Sequence, residues 1–200
     1  MNPQPKVSGI VLAAGSSSRM GKPKQLLPFR GGTVIERVVD NALLSILDQV
    51  IIVLGHEALQ IEPLLAQKGI TTIVNHTYQE GQSSSLKAGL QALSPETEGA
   101  LFILGDQPLV THTTMDLIIS AFAETHAPIV IPTFEGQRGN PVLFSRETFS
   151  RLESLSGDCG ARPLFQEYAG KIHSLEVHTP AILMDLDTED DYRRLMTMRY

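Results

Sequence analysis

Residues 7–24 read VSGIVLAAGSSSRMGKPK. Val7–Ala14 is an apolar run relieved only by Ser8 and Gly9, which suits a strand buried on both faces. Gly15 ends it. Ser16, Ser17 and Ser18 follow as small residues that let the backbone close tightly with its N–H groups turned inward. Arg19 and Lys24 bring cations to the same loop. A strand that opens directly into such a loop reads as a phosphate cradle. Two common cradles do not fit. The interval from Gly15 to Gly21 is too long for GxxxxGK[ST], and Pro23 follows Lys22. The dinucleotide fingerprint GxGxxG fails because Ser17 stands where its second glycine belongs.

Outward from that strand the chain alternates. Thr33–Leu47 reads as a helix opened by the capping box Thr33-x-x-Glu36. Strands at Gln49–Leu54, Thr71–Asn75, Ala100–Leu104 and Ile129–Ile131 are separated by helices at Ala58–Gln67, Ser83–Leu93 and Thr113–Thr125. Short apolar strands between amphipathic helices predict a three-layer α/β/α, Rossmann-like fold with a mostly parallel, mixed sheet. In such sheets ligands bind beyond the carboxyl ends of the strands, so residues following strands carry the interest. Past residue 133 the pattern changes. Phe134–Asn140 is a polar, Gly-rich turn, and Pro141–Ser145 an extra strand suited to antiparallel pairing. Two short helices, strands at 172–177 and 182–186, and a closing helix with Thr188 as N-cap complete the chain. With no repeat or linker, a single domain over residues 1–200 is expected.

Composition narrows the function. Lys and Arg total 16 against 22 Asp and Glu, a net charge of −6, which argues against duplex nucleic acid as a partner. The single Cys excludes an internal disulfide framework and a Cys-rich zinc site. No apolar run approaches the roughly 20 residues of a membrane span, and the polar start lacks a signal-peptide pattern, so a cytoplasmic protein with no membrane partner is expected. The six His residues form no spaced cluster, although His56 and His112 each follow a strand closely enough to reach a cleft. No GxSxG elbow points to serine hydrolysis.

Carboxylates fall where a sheet would present them. Asp106, in Leu104-Gly105-Asp106-Gln107-Pro108, follows the fourth strand and suits a hard cation; capping of the turn is the competing role. In Met184-Asp185-Leu186-Asp187-Thr188, strand alternation would place Asp185 and Asp187 on one side. Glu189 and Asp190 then suit the first turn of a helix. Residues 80–90, EGQSSSLKAGL, form a helix N-terminus with spare N–H and hydroxyl groups, fit for a base edge or phosphate, or else for an ordinary serine N-cap.

The pattern L-A-A-G-x-S-x-R-M-G-x-x-K over residues 12–24 resembles the signature loop of nucleotidyltransferases that activate small phosphorylated molecules. Within them the chain is most similar to the molybdenum cofactor cytidylyltransferases, relatives of the molybdopterin guanylyltransferases. The turn Gly105–Pro108, residues 185–190 and the segment Gly157–Arg162 extend the resemblance over nearly the whole chain. It implies a nucleotidyltransferase fold in which Leu12 is nucleotide-binding and Ala13 and Ala14 lie near base and ribose. The backbone from Ala13 through Ala14, Gly15, Ser16 and Ser17 to Ser18 would cradle the phosphates. Arg19, Lys24 and Asp106 would be catalytic, the two cations neutralising the α-phosphate and the departing pyrophosphate. Gly81, Gln82 and Ser84 would contact the base. Asp106 and Asp187 would hold Mg2+, with Mn2+ as the alternative ion and Asp185 as the second choice to Asp187. Gln107, Arg138, Asn140, Gly157, Asp158 and Arg162 would face the acceptor, and Cys159 would be an incidental neighbour.

Ala14 and Gln107 replace residues usual in the guanylyl branch and favour cytosine. The implied reaction joins CMP from CTP to molybdopterin, in its molybdenum-loaded form, giving a cytosine dinucleotide and pyrophosphate. The resemblance also implies transient contact with molybdenum hydroxylases of the xanthine dehydrogenase family. Alternatives are a GTP-using guanylyltransferase, a cytidylyl or sugar-phosphate transferase for another acceptor, and a non-catalytic module that delivers the cofactor.

Overall fold

The computed structural model describes residues 4–15 and 23–198. In chain order the elements are β1 (Val7–Ala13), the two-residue strands β2 (Pro28–Phe29) and β3 (Gly32–Thr33), α1 (Val34–Leu44), β4 (Gln49–Leu54), α2 (Ala58–Leu65), β5 (Thr71–Val74), α3 (Gln82–Gln91) and β6 (Gly99–Leu104). There follow α4 (His112–Thr125), β7 (Ile129–Phe134), β8 (Gln137–Arg138), β9 (Val142–Ser145), α5 (Phe149–Ser154), α6 (Arg162–Glu167), β10 (Ile172–Glu176) and α7 (Glu189–Thr197).

The strands are apolar throughout because both faces of the sheet are covered. Val11 and Ala13 of β1, Ile52 and Leu54 of β4, and Leu101 and Ile103 of β6 face a core shared with α1, α2 and α4. Their neighbours Ile10, Ile51, Val53, Ala100 and Phe102 face a second core shared with α3, α5 and α6. This is the period-two alternation of a strand expressed on two buried faces.

The sheet order is β10-β7-β9-β6-β1-β4-β5, with β8 paired to β7. Strands β6, β1, β4 and β5 are mutually parallel, as are β7 and β10. Strand β9 lies antiparallel between β6 and β7, so the sheet is mixed. From β1 the chain steps outward to β4 and β5, then returns through α3, on the opposite face, to β6 on the other side of β1. The carboxyl ends of β1 and β6 therefore flank a topological switch point, where a doubly wound sheet leaves a crevice.

The Thr33–Glu36 capping box is formed as the sequence predicts, with both hydrogen bonds present. Two expectations change and one unexpected element appears. Residues 182–186 are not a strand; Pro180–Leu183 is a single 3-10 turn. The backbone there bonds to loops instead of a ladder, Asn140 N–H donating to Ile182 O and Leu186 N–H to Asp106 O. The β2–β3 hairpin is too short to announce itself in sequence, although its turn residues Arg30 and Gly31 both take positive φ as such a tight turn requires. Finally, α3 starts after Gly81 with no side-chain cap of its own, so none of Ser83–Ser85 is the N-cap. A smaller third core joins the hairpin to α7 through Phe29, Val34, Leu186 and Leu195, drawing the C-terminal segment to the residues that follow β1.

Candidate active site

Strands β1 and β6 end side by side, Leu12 opposite Leu104, so the residues that follow them meet. Two glycines permit the close approach. A β-carbon on Gly105 would lie 2.9 Å from both Ala13 Cβ and Leu12 O, and one on Gly55 would lie 2.6 Å from Ala14 O. Lys24 sits in the short 3-10 turn Lys24–Leu26. Its Nζ is 2.5 Å from Asp106 Oδ2 and 2.9 Å from Asp187 Oδ1. The Lys24 and Asp106 side chains are only 14% and 17% exposed, and Asp187 is 37% exposed. Burial works against the Lys24 ammonium, but Asp106 and Asp187 outweigh it and hold its pKa above the ordinary lysine value.

Asp185 lies beside this group. Desolvation, with the Asp106 charge added, raises its carboxyl above the usual range, against the opposing pull of the Gln107 amide. Gln107 itself is only 2% exposed. Its Nε2 donates to Asp185 Oδ1 at 2.6 Å and to Ile182 O at 3.3 Å, while its buried Oε1 has no partner. Gln107 thus stands behind the site and holds the segment that carries Asp185 and Asp187.

A cleft of about 810 Å³ opens over the switch point. Among the described residues it is lined by Leu12, Ala14, Gly15, Lys24, His56, Gly81, Gln82, Asp106 and Asp158, which the sequence singles out, and by Gln25, Tyr78, Gln79, Glu80, Ser85 and Leu104. A smaller pocket of about 300 Å³ adjoins it across Leu12, Gln82 and Leu104. There Arg138, Asn140, Arg162, Cys159 and Asp185 meet an aromatic wall of Phe102, Phe144 and Phe165. The Phe144 and Phe165 rings stack with centroids 6.2 Å apart.

Several expected residues lie elsewhere. Ser16, Ser17, Ser18 and Arg19 fall outside the described residues. Ala13 turns into the core on the α1 side. Ser84 faces a separate groove with Gly157, and Ser85 takes the place expected of Ser84 in the main cleft. Helical register decides this, since neighbouring residues point to different sides. Asp158 lies in the large cleft, not in the smaller pocket. His56 does line the cleft, its Nδ1 3.2 Å from Tyr78 Oη, whereas His112 opens α4. Tyr78 and Gln25 carried no motif. Their only signal was position, in the turn that follows β5 and next to Lys24.

The donor set fits a hard divalent cation. Two carboxylates converge on one cationic group at a strand end, and among the described residues no set of three or more His, Cys, Asp or Glu could hold an ion alone. Magnesium is commonly bound this way, by one or two carboxylates completed by substrate phosphates. No helix among the described residues is long and apolar enough to cross a membrane.

Comparison with known proteins agrees with this architecture. The chain is 30% identical over 184 residues to the molybdenum cofactor cytidylyltransferase of Escherichia coli K12, covering 92% of each chain. It is 29% identical to a nicotine blue oxidoreductase of Paenarthrobacter nicotinovorans, covering 96% of this chain and 97% of the relative. Among solved structures, Rv0371c of Mycobacterium tuberculosis superposes with a TM-score of 0.87 at 34% identity, covering 98% of this chain and all of the other. A manganese complex of Rv0371c superposes at 0.84. The MobA-like NTP transferase domain matches residues 9–172. A doubly wound sheet with Lys24, Asp106 and Asp187 gathered at the switch point, matched along most of its length, makes this chain a member of the MobA-like NTP transferase family.

Proposed function

We propose that the protein transfers CMP from CTP to the terminal phosphate of molybdopterin, forming molybdopterin cytosine dinucleotide and releasing pyrophosphate. The observation that carries this reading is the meeting of Lys24, Asp106 and Asp187 beside Gly15, where a nucleotide-sized cleft joins a smaller pocket holding two arginines. Nucleotidyl transfer asks a protein mainly for positioning and for stabilisation of charge on phosphate oxygens. In this reading the triphosphate runs along Gly15 and the loop after it, with the base toward Gly81, Gln82 and Ser85. The acceptor occupies the smaller pocket, its phosphate directed by Arg138 or Arg162.

An acceptor phosphate oxygen attacks the α-phosphorus, and the bond to pyrophosphate breaks with its electron pair leaving on the pyrophosphate oxygen. Lys24 neutralises charge that develops along that axis. Asp106 and Asp187 would hold magnesium or manganese, which when bound supplies Lewis-acid stabilisation of the phosphate oxygens. Gln107 keeps Asp185 and Asp187 in place from behind. Ala14, Gln107 and the similarity to a cytidylyltransferase support cytosine over guanine.

The test is pyrophosphate release with each of the four nucleoside triphosphates, with and without molybdopterin, in the presence of magnesium. CTP with molybdopterin is expected to turn over, and Asp106→Asn to lower that rate at least about 10²-fold. Equal turnover with GTP overturns the cytidylyl assignment. Undiminished turnover in Asp106→Asn overturns the role of that carboxylate.

A further inference from the structure

The first turn of helix α3 stands between the two pockets beside Leu12 and Leu104, with Gln82 lining both, and the helix N-terminus has no cap within its own sequence. Gly81, at φ +103°, has no side chain to accept a hydrogen bond. The Ser84 hydroxyl instead donates to the carbonyls of Gly81 and Thr77. The cap comes from a segment 76 residues further on, where Asp158 Oδ1 accepts the Gln82 amide at 3.2 Å. A carboxylate there satisfies an orphan N–H and meets the positive end of the helix. The two segments also interlock by shape. A β-carbon on Gly81 would lie 2.5 Å from the Gly157 carbonyl carbon, and one on Gly160 would lie 2.4 Å from Gln82 Oε1. Asp158 lines the large cleft, its neighbour Cys159 lines the smaller pocket, and Gln82 lines both.

We propose that Asp158 is a positioning residue that couples the two substrates. By holding the Gln82 amide it makes the shared wall one body, so that nucleotide in the large cleft orders the surface the acceptor meets. Linkage then requires the acceptor to tighten nucleotide binding by the same factor. The inference rests on the reading of the two pockets as nucleotide and acceptor sites.

Cys159 provides a native reporter. It is the single cysteine of the chain and half-buried, with its Sγ 3.3 Å from Ser156 O. Its rate of reaction with a chromogenic disulfide reagent is measured with and without each of the four nucleoside triphosphates, at saturation established by calorimetry. In the unmodified protein the bound nucleotide is expected to slow the reaction at least about fivefold, within the usual range of coupling between sites. Asp158→Ala is expected to abolish that protection and to raise KM for both substrates about fivefold, the equivalent of one lost helix cap, more than it lowers kcat. Asp158→Asn, whose amide oxygen can still cap, is expected to retain the protection that Asp158→Ala loses and to raise both KM values less than Asp158→Ala does. Full protection in Asp158→Ala, or an unchanged thiol rate in the saturated unmodified protein, overturns the coupling even if CTP turns over. Protection by GTP but not CTP overturns the cytidylyl reading and supports the coupling.

Discussion

Lys24 sets the electrostatic character of the site. Its ammonium lies between Asp106 and Asp187, the two carboxylates suited to a divalent ion. A cation in that position would compete with a divalent ion, so on the proposed reading a metal would bind more readily once substrate phosphates draw the ammonium toward themselves. Lys24→Met keeps an apolar stem and removes the charge. It is expected to tighten Mn2+ binding in the absence of nucleotide while lowering turnover on the order of 10²-fold. Titration of free Mn2+ by its magnetic resonance signal checks the first effect and pyrophosphate release the second; unchanged or weaker Mn2+ binding rules out the competition. The residue types at this site were legible in sequence, because Asp106 follows the end of β6 and Lys24 belongs to the small-residue, cationic stretch after β1. The burial of Gln107 was not, since a strand-end polar residue can face either the cleft or the segment that closes over it.

Elements whose signals are local followed the sequence closely. The Thr33–Glu36 and Thr188 caps depend on side chains within one helical turn, and both helices begin where those residues stand. Thr33→Ala is expected to cost about 1 kcal/mol, read as a lower urea midpoint with an unchanged slope. A much smaller loss would mean that packing of Val34, Ile35 and Val38 alone holds α1. Elements whose partners are remote departed from the expectation. Helix α3 takes its cap from Asp158, and in residues 182–186 Ile182 O accepts the Asn140 N–H while the Leu186 N–H donates to Asp106 O. Periodicity cannot report a partner so far along the chain, and a short, mostly apolar segment such as Ile182–Leu186 reads alike whether it enters a ladder or bonds to loops.

For the whole molecule, the sheet has to stay closed where the late strands extend it. Strand β10 is held at that edge by pairing with β7 and by Glu176, whose carboxylate accepts the Thr133 hydroxyl at 2.6 Å and the Glu135 amide at 2.8 Å. These bonds, the Thr133 hydroxyl first, lower the Glu176 pKa below the ordinary value of 4.5. The folded state therefore favours the carboxylate. Its contribution is whole above the ordinary value and is lost as pH falls through the lower folded one. Glu176→Gln is expected to lower stability at neutral pH, with the difference from the unmodified protein closing as pH falls through the lowered folded value. Thermal midpoints across that range provide the measurement, and a pH-independent difference contradicts the assignment.

The chain by itself determined the strand–helix alternation, the parallel core of the sheet, the extra antiparallel strand and the residue types at the strand ends. These follow from periodicity, capping and small-residue spacing, all of which act over a few neighbouring residues. Tertiary structure decided which of those residues meet. It brought Asp187 to Lys24 across 163 positions, turned Ser85 in place of Ser84 into the cleft, set Gln107 behind the site and joined Asp158 to α3. Those outcomes depend on how the strands order themselves in the sheet and how the closing segment packs on the β2–β3 hairpin. They are properties of long-range contact that no local pattern encodes.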